Sequence, residues 1–116
     1  MTWMTLLIGG QRWSVRVVSR RHPALNENGE KYDGRCRFDT CRIYINRDLS
    51  EIEQVEVLFH EIVHAWVRRS GVWEILVDGL GEKDAGRYDE MLVSAGSPVL
   101  LGLFLDLGFS FPKVNQ

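Results

Sequence analysis

One apolar segment with two histidines limits what this chain can be more than any other feature. Residues 58–66 read LFHEIVHAW and contain two of the three histidines of the chain. On a helix, His60 and His64 lie one turn apart on nearly the same face, so both imidazoles can bind one zinc ion. Glu61 then lies beside the open position of the metal and can act as a general base on water held there. The spacing predicts metal-assisted hydrolysis, typically of a peptide bond.

The alternative is a surface helix that carries these three polar residues by chance. Their neighbours argue against it, because all of them are apolar: Leu58, Phe59, Ile62, Val63, Ala65 and Trp66. A helix this apolar is buried on most sides, and a buried pair of imidazoles normally has a specific partner. We therefore favour a metal site.

Signals at both ends of this segment predict one long helix. It should begin near Asp48 or Ser50, because Ser50 and Glu53 form a capping box and further acids follow in the first turn. Two arginines close the last turn at residue 69, and Gly71 is suited to the left-handed position after a helix. Apolar residues recur at helical spacing in between.

Strand patterns precede this helix. Residues 12–19 alternate apolar and polar side chains, which predicts a half-buried strand, and the composition of residues 21–32 is typical of a loop. Residues 34–38 and 41–46 predict a hairpin. In a metallopeptidase the strand 41–46 would lie beside the helix, and an exposed edge there could pair with an extended peptide.

The part of the chain after the helix is less regular at first and then strongly apolar. Residues 71–86 contain four glycines without a clear period, and we expect a connection with a short apolar turn. Residues 87–107 predict a second long helix, which Pro98 would kink or restart. The chain is thus predicted to be one domain, residues 1–116, of the α+β class: a small twisted sheet of about three strands packed on two long helices.

Composition limits the compartment and the partners. The longest apolar run, Val99 to Phe109, is interrupted by Gly102, Asp106 and Gly108 and is too short to predict a membrane span. The N-terminus lacks the pattern of a signal peptide, so we expect a cytoplasmic protein. Residues 1–47 hold nine basic and four acidic residues, whereas residues 48–116 hold five and twelve. Nucleic-acid binding by the basic half ranks last among the functions considered.

The two cysteines do not form a recognisable metal motif. Cys36 and Cys41 have four residues between them, and no second pair completes a zinc-knuckle ligand set. In the cytoplasm we expect reduced thiols on neighbouring strands of a hairpin. A redox switch is the less favoured alternative.

A catalytic zinc site on this motif needs a third protein ligand. His22 precedes the motif in a loop, and the extended form H-x-x-G-x-x-H is absent. A carboxylate at the start of the second helix is the remaining choice. Glu90 is favoured over Asp89 because its side chain is longer and because it is expected to face inward with Val93 and Ser94. The alternative is an ordinary acidic first turn, which the helix dipole favours.

The order of these elements resembles that of the small HExxH metallopeptidase-like proteins of phages and prophages, which are compact relatives of the gluzincins. The resemblance covers nearly the whole chain. The histidine motif is its specific part; the rest are patterns at residues 11–15, 42–45 and 89–93, with Pro98 further on.

This resemblance implies a zincin-like fold, zinc as cofactor, His60, His64 and Glu90 as metal ligands, and Glu61 as catalytic base. It also implies a peptide or protein substrate from the phage or the host, whose cytoplasm would be the compartment. Tyr44 and Tyr88 are candidates for stabilising the transition state on chemistry alone. The leading alternative is a catalytically silent zinc-binding relative that acts as an interaction module for phage or host proteins. A structural zinc site would be closed by a fourth protein ligand.

Overall fold

The computed structural model describes residues 2–108, which form two small sheets and three helices. The strands are β1 (Thr2–Ile8), β2 (Gln11–Val18), β3 (Asn26–Glu27), β4 (Glu30–Lys31), β5 (Gly34–Arg37) and β6 (Arg42–Asn46). The helices are α1 (Glu51–Arg69), α2 (Val72–Leu80) and α3 (Glu82–Asp106), and a short 3-10 turn spans Pro23–Leu25. The predicted α+β class is confirmed.

The main sheet has four strands, one more than predicted, in the order β1-β2-β6-β5. Strands β1 and β5 are antiparallel to their neighbours, whereas β2 and β6 pair in parallel. The strand that was not predicted, β1, has apolar residues on both faces and therefore lacks the alternation that identified β2. The order also corrects the expected position of the free edge, because β6 is interior and β5 lies at the edge.

Helix α1 is confirmed, and it lies between the sheet and α3. Ser50 caps it in a capping box with Glu53, and Gly71 follows its last turn with a positive φ of 90°. Leu58 and Ala65 pack into the core formed by the sheet, which centres on Trp13, Val15, Val17, Ile43 and Ile45. Val63 and Val67 pack on Val93 of α3. The histidine motif is therefore held from two sides.

The connection after α1 is more helical than predicted. Residues 72–80 form α2, bounded by Gly71 and Gly81 in positive-φ conformations, so these glycines delimit a helix instead of indicating a loop. Helix α3 begins at Glu82, five residues before its predicted start at residue 87, and it continues through Pro98 as one helix. The exposed Pro98 removes one backbone donor without ending the helix.

Because α3 is continuous, it is long and apolar enough to cross a membrane by length and composition, so the expectation that the apolar run is too short for a span is wrong. The absence of a membrane partner stays a prediction. Only 22% of its most apolar window is buried in the fold. The core helix of a globular protein passes the same test, so length and composition alone are weak indications. Its large exposed side chains include Met91, Leu92, Val99, Leu100, Leu103 and Leu105. Phe109, the end of the apolar run, lies outside the described residues.

Candidate metal centre

Two helices bring three potential metal ligands together. His60 and His64 project from consecutive turns of α1, with ring centroids 4.9 Å apart and an interplanar angle of 69°. Glu90 approaches from α3, and one ligand atom from each of the three residues lies within 4.8 Å of the other two. No other residue in the range 2–108 joins this group.

The spacing and chemistry of this group fit zinc. His64 Nε2 lies 3.3 Å from Glu90 Oε1. Two ligands of a tetrahedral zinc ion, each about 2.0–2.1 Å from the metal, would be about 3.3–3.4 Å apart. Two imidazoles and one carboxylate are also a ligand set of catalytic zinc sites, which keep a fourth position open. The arrangement can therefore hold one ion with three protein ligands.

Asp89 contacts the same imidazole from its other side. Its Oδ2 lies 3.1 Å from His64 Nδ1, and the residue is only 6% exposed. A proton on Nδ1 would be donated to this carboxylate, which leaves Nε2 free to bind a metal and fixes the orientation of the ring. The second oxygen, Oδ1, is buried without a hydrogen-bond partner among residues 2–108. The two adjacent acids therefore contact opposite nitrogens of His64.

The orientation of Glu90 differs from the expectation. It was expected to face inward with Val93 and Ser94, but the side chain of Glu90 is 64% exposed and Ser94 is exposed as well. The buried stripe of α3 consists of Ala85, Asp89, Val93, Ser97 and Leu101. Glu90 reaches His64 from the rim of this stripe. The buried position of Asp89 was not predicted, although its spacing of four residues before Val93 indicates the same face.

Glu61 is buried beside the ligand group but is not part of it. It is 7% exposed, and burial raises its pKa to about 7. Gly34 of β5 makes room for it, since a Cβ atom there would lie 2.3 Å from Val57 Cγ1 and 3.3 Å from Glu61 Cγ. Sequence reasoning did not identify Gly34, because the close approach depends on how α1 crosses the edge strand. A carboxylate with this pKa can both accept and donate a proton near neutral pH.

The state of His60 also suits metal binding. Burial, and next the neighbouring charge of His64, lower the pKa of His60 below its ordinary value. A lowered pKa keeps the imidazole neutral at physiological pH, and only the neutral ring can bind a metal.

Two cavities meet at the motif, and His60 and Glu61 line both. The larger, of about 910 Å³, runs along the first half of α1 and the second half of α3, and its apolar wall consists of Ile52, Val57, Pro98, Leu101 and Leu105. The smaller, of about 480 Å³, lies toward the end of α1 and is lined by His64, Arg68, Asp89 and Glu90. Strand β5 contributes to both. A substrate could therefore extend to either side of the motif.

The tyrosines proposed on chemistry alone do not line these cavities. Tyr44 is buried and stacks on His22, and Tyr88 is exposed on α3. Tyr32 lines both cavities instead, and its hydroxyl donates a hydrogen bond of 2.7 Å to Glu30. The loop composition around Tyr32 offered no signal for this placement.

The cysteines are free thiols. The Cys36 thiol donates a weak hydrogen bond to the Glu61 carbonyl at 3.7 Å. Burial raises the pKa of Cys36, so the reactive thiolate form is disfavoured. This argues against the redox alternative.

Fold and site together define a zinc metallopeptidase-like domain, in which a HExxH helix packs on a small sheet with one face and contacts an acid-bearing helix with the other. The chain belongs to the peptidase M78 family: the model described as IrrE N-terminal-like domain matches residues 13–89. The match includes the histidine motif and ends one residue before Glu90. It confirms the resemblance to HExxH metallopeptidase-like proteins, and the origin in a phage stays a prediction. No significant match was found among curated proteins or solved structures.

Proposed function

We propose that this protein is a zinc-dependent hydrolase of peptide bonds. The observation that carries the proposal is the buried Glu61 beside a group of only three metal-binding side chains within residues 2–108, where two cavities meet. Three ligands leave a position for water and substrate, as in catalytic zinc sites. A structural site would need a fourth protein ligand, and the described residues do not offer one in this group.

The proposed roles divide among side chains of α1 and α3. His60, His64 and Glu90 would hold the metal, while Asp89 orients His64 through Nδ1. When bound, zinc supplies a Lewis acid that polarises the scissile carbonyl and lowers the pKa of water. Glu61 accepts a proton from the attacking water on its carboxylate and delivers it to the leaving amine nitrogen. Its burial suits both steps, because the desolvated carboxylate binds a proton more readily than an exposed one.

The substrate backbone would lie along the edge of the sheet that β5 forms. Strand β5 is an edge strand, and Gly34 lines both cavities. An extended peptide can add to such an edge through main-chain hydrogen bonds, independently of its sequence. The proposed substrate is therefore a peptide, or an extended segment of a phage or host protein.

A catalytically silent interaction module is the second candidate, and one observation favours it. The second half of α3 exposes a run of large apolar side chains, and exposed apolar patches commonly mark binding surfaces. If the protein has this second function, zinc only stabilises the domain.

We also propose a cytoplasmic location, which the two free cysteines support. A membrane-spanning role for α3 is not part of the proposal, because α3 contributes Asp89 and Glu90 to the site and packs on α1 through Val93.

The test combines metal content with hydrolysis of a fluorogenic peptide library. Glu61→Gln should keep about one zinc per chain, while hydrolysis falls about 100-fold or more because the base is lost. Glu74→Gln, which removes an exposed carboxylate of α2, is the matched control and should leave both unchanged. Loss of zinc in Glu61→Gln would make Glu61 a ligand or a support, and unchanged hydrolysis would reject the mechanism. Zinc binding by the wild type without hydrolysis would favour the silent module.

A further inference from the structure

Arg68 occupies the next turn of α1 after the two histidines. Residues 60, 64 and 68 are spaced by four, so they lie on nearly the same face of the helix. Arg68 lines the smaller cavity together with His60 and His64. Its guanidinium carbon lies 3.6 Å from the ring centroid of Trp73 and 4.8 Å from that of Phe38. Two aromatic rings therefore hold this cation in the cavity wall.

Within residues 2–108, no group accepts a hydrogen bond from the side chain of Arg68. Among residues 2–108, three other arginines form ion pairs: Arg20 with Asp33, Arg35 with Glu27 and Arg87 with Asp84. The guanidinium of Arg68 forms neither an ion pair nor a hydrogen bond with any described residue, and its Nε is buried without an acceptor. The cation–π contacts stabilise the charge of Arg68, but the rings accept no hydrogen bond from its in-plane N–H groups. Burying an Nε–H group without an acceptor is unfavourable, so an acceptor that another molecule supplies would be favoured there.

Arg68 forms no ion pair with the described acids of the site. Asp89 and Glu90 both contact His64, at 3.1 Å and 3.3 Å. Of the two arginines in this cavity, Arg35 is the one whose charge lowers the pKa of Glu61 against the effect of burial. The charge of Arg68 instead lowers the pKa of Cys36, against the larger effect of burial.

We propose that Arg68 binds a carboxylate of the substrate, an inference that rests on the proposed peptide hydrolysis. A guanidinium presents a planar fork of donors that matches a carboxylate with two parallel hydrogen bonds. The Cα of Arg68 lies one helical turn, about 6 Å, beyond that of His64. Successive Cα atoms of a peptide are about 3.8 Å apart, so the carboxylate belongs to a residue within one or two positions of the scissile bond. It is either the C-terminal carboxylate or an acidic side chain.

The test measures peptide binding to zinc-loaded protein carrying Glu61→Gln, so that peptides stay intact. The probes are acetyl-tetra-alanine with a free C-terminus, its C-terminal amide, and the amide with aspartate as the last residue. Calorimetry should show at least one carboxylate probe binding about 10-fold more tightly than the alanine amide. Arg68→Gln should remove this preference, which also separates it from direct binding to zinc. Arg87→Gln, which removes an equal charge outside both cavities, is the matched control and should retain it.

The two carboxylate probes show whether the bound carboxylate is a C-terminus or an acidic side chain. A preference for the free C-terminus alone indicates cleavage near chain ends, and a preference for aspartate alone indicates recognition of an acidic side chain. Equal affinity for all three probes, or a preference that survives in Arg68→Gln, would overturn the inference. Zinc content and thermal unfolding check the folding of each variant. If Arg68→Gln does not fold, Arg68→Lys keeps the charge without the fork, and an undiminished preference in that variant would also overturn the inference.

Failure of this inference is distinguishable from failure of the proposed function. A carboxylate preference that depends on Arg68, in a protein whose wild type hydrolyses nothing, would uphold the binding site and reject the hydrolase. Hydrolysis without any carboxylate preference would reject the binding site alone.

Discussion

Burial of Glu61 should make the stability of the metal-free protein depend on pH in a defined way. The pKa of Glu61 is raised from an ordinary value of 4.5 to about 7, chiefly by burial. Because the folded state binds this proton more tightly than the unfolded state does, raising the pH destabilises the fold. The loss begins near pH 4.5 and is complete somewhat above pH 7. Each pH unit between the two pKa values corresponds to about 1.4 kcal/mol, so the whole effect is about 3 kcal/mol.

The perturbation is Glu61→Gln, which keeps the shape of the side chain but cannot titrate. The free energies of unfolding of wild type and variant are measured by urea denaturation from pH 4 to pH 8, with chelator present to remove metal. Titration of other groups, including His60 with its lowered pKa, affects both proteins and largely cancels in the difference. We expect the wild type to lose about 3 kcal/mol relative to the variant between pH 4 and pH 8. Bound zinc should reduce this difference, because a nearby cation stabilises the carboxylate.

Two results would refute this reasoning. Parallel stability curves for the two proteins would mean that Glu61 is hydrated in the folded state and has an ordinary pKa. A wild type that gains stability relative to the variant as the pH rises would mean that the ionised carboxylate is stabilised, for example by Arg35, more than burial disfavours it.

Two further predictions concern the metal and the helix. Zinc titration against a competing chelator should show no stoichiometric zinc in His60→Ala or His64→Ala. The zinc affinity should fall strongly in Glu90→Ala and by about 10–100-fold at most in Asp89→Ala. A larger loss in Asp89→Ala than in Glu90→Ala would exchange the roles of the two acids. Ser50→Ala should lower the free energy of unfolding by about 1 kcal/mol, because the Ser50 hydroxyl accepts a hydrogen bond from the Glu53 amide at the start of α1. Urea denaturation of this variant without a change in midpoint would contradict the capping role.

Local sequence signals were sufficient to predict the elements whose formation depends on residues close together in the chain. The capping box at Ser50 and the helical spacing of His60 and His64 predicted α1 correctly, because capping and periodicity act within a few residues of the chain. The alternation of β2 and the β5–β6 hairpin were predicted for the same reason. In contrast, β1 and α2 were missed. Strand β1 lacks alternation, and the glycines around α2 resembled those of a loop although they mark its ends.

The amino-acid sequence by itself determined that one helix carries two imidazoles with a carboxylate between them, since a spacing of four residues places the imidazoles on nearly the same face of any helix. Only the tertiary structure decided what surrounds that face. The rotation of α3 against α1 placed Asp89 on Nδ1 and Glu90 near Nε2 of the same ring, and the crossing of β5 over α1 buried Glu61 beside Gly34. The packing of Phe38 and Trp73 around Arg68 likewise brings the turn after β5 against the junction of α1 and α2. Such contacts depend on how whole elements pack, and the periodicity of a single segment carries no information about the orientation of its neighbours.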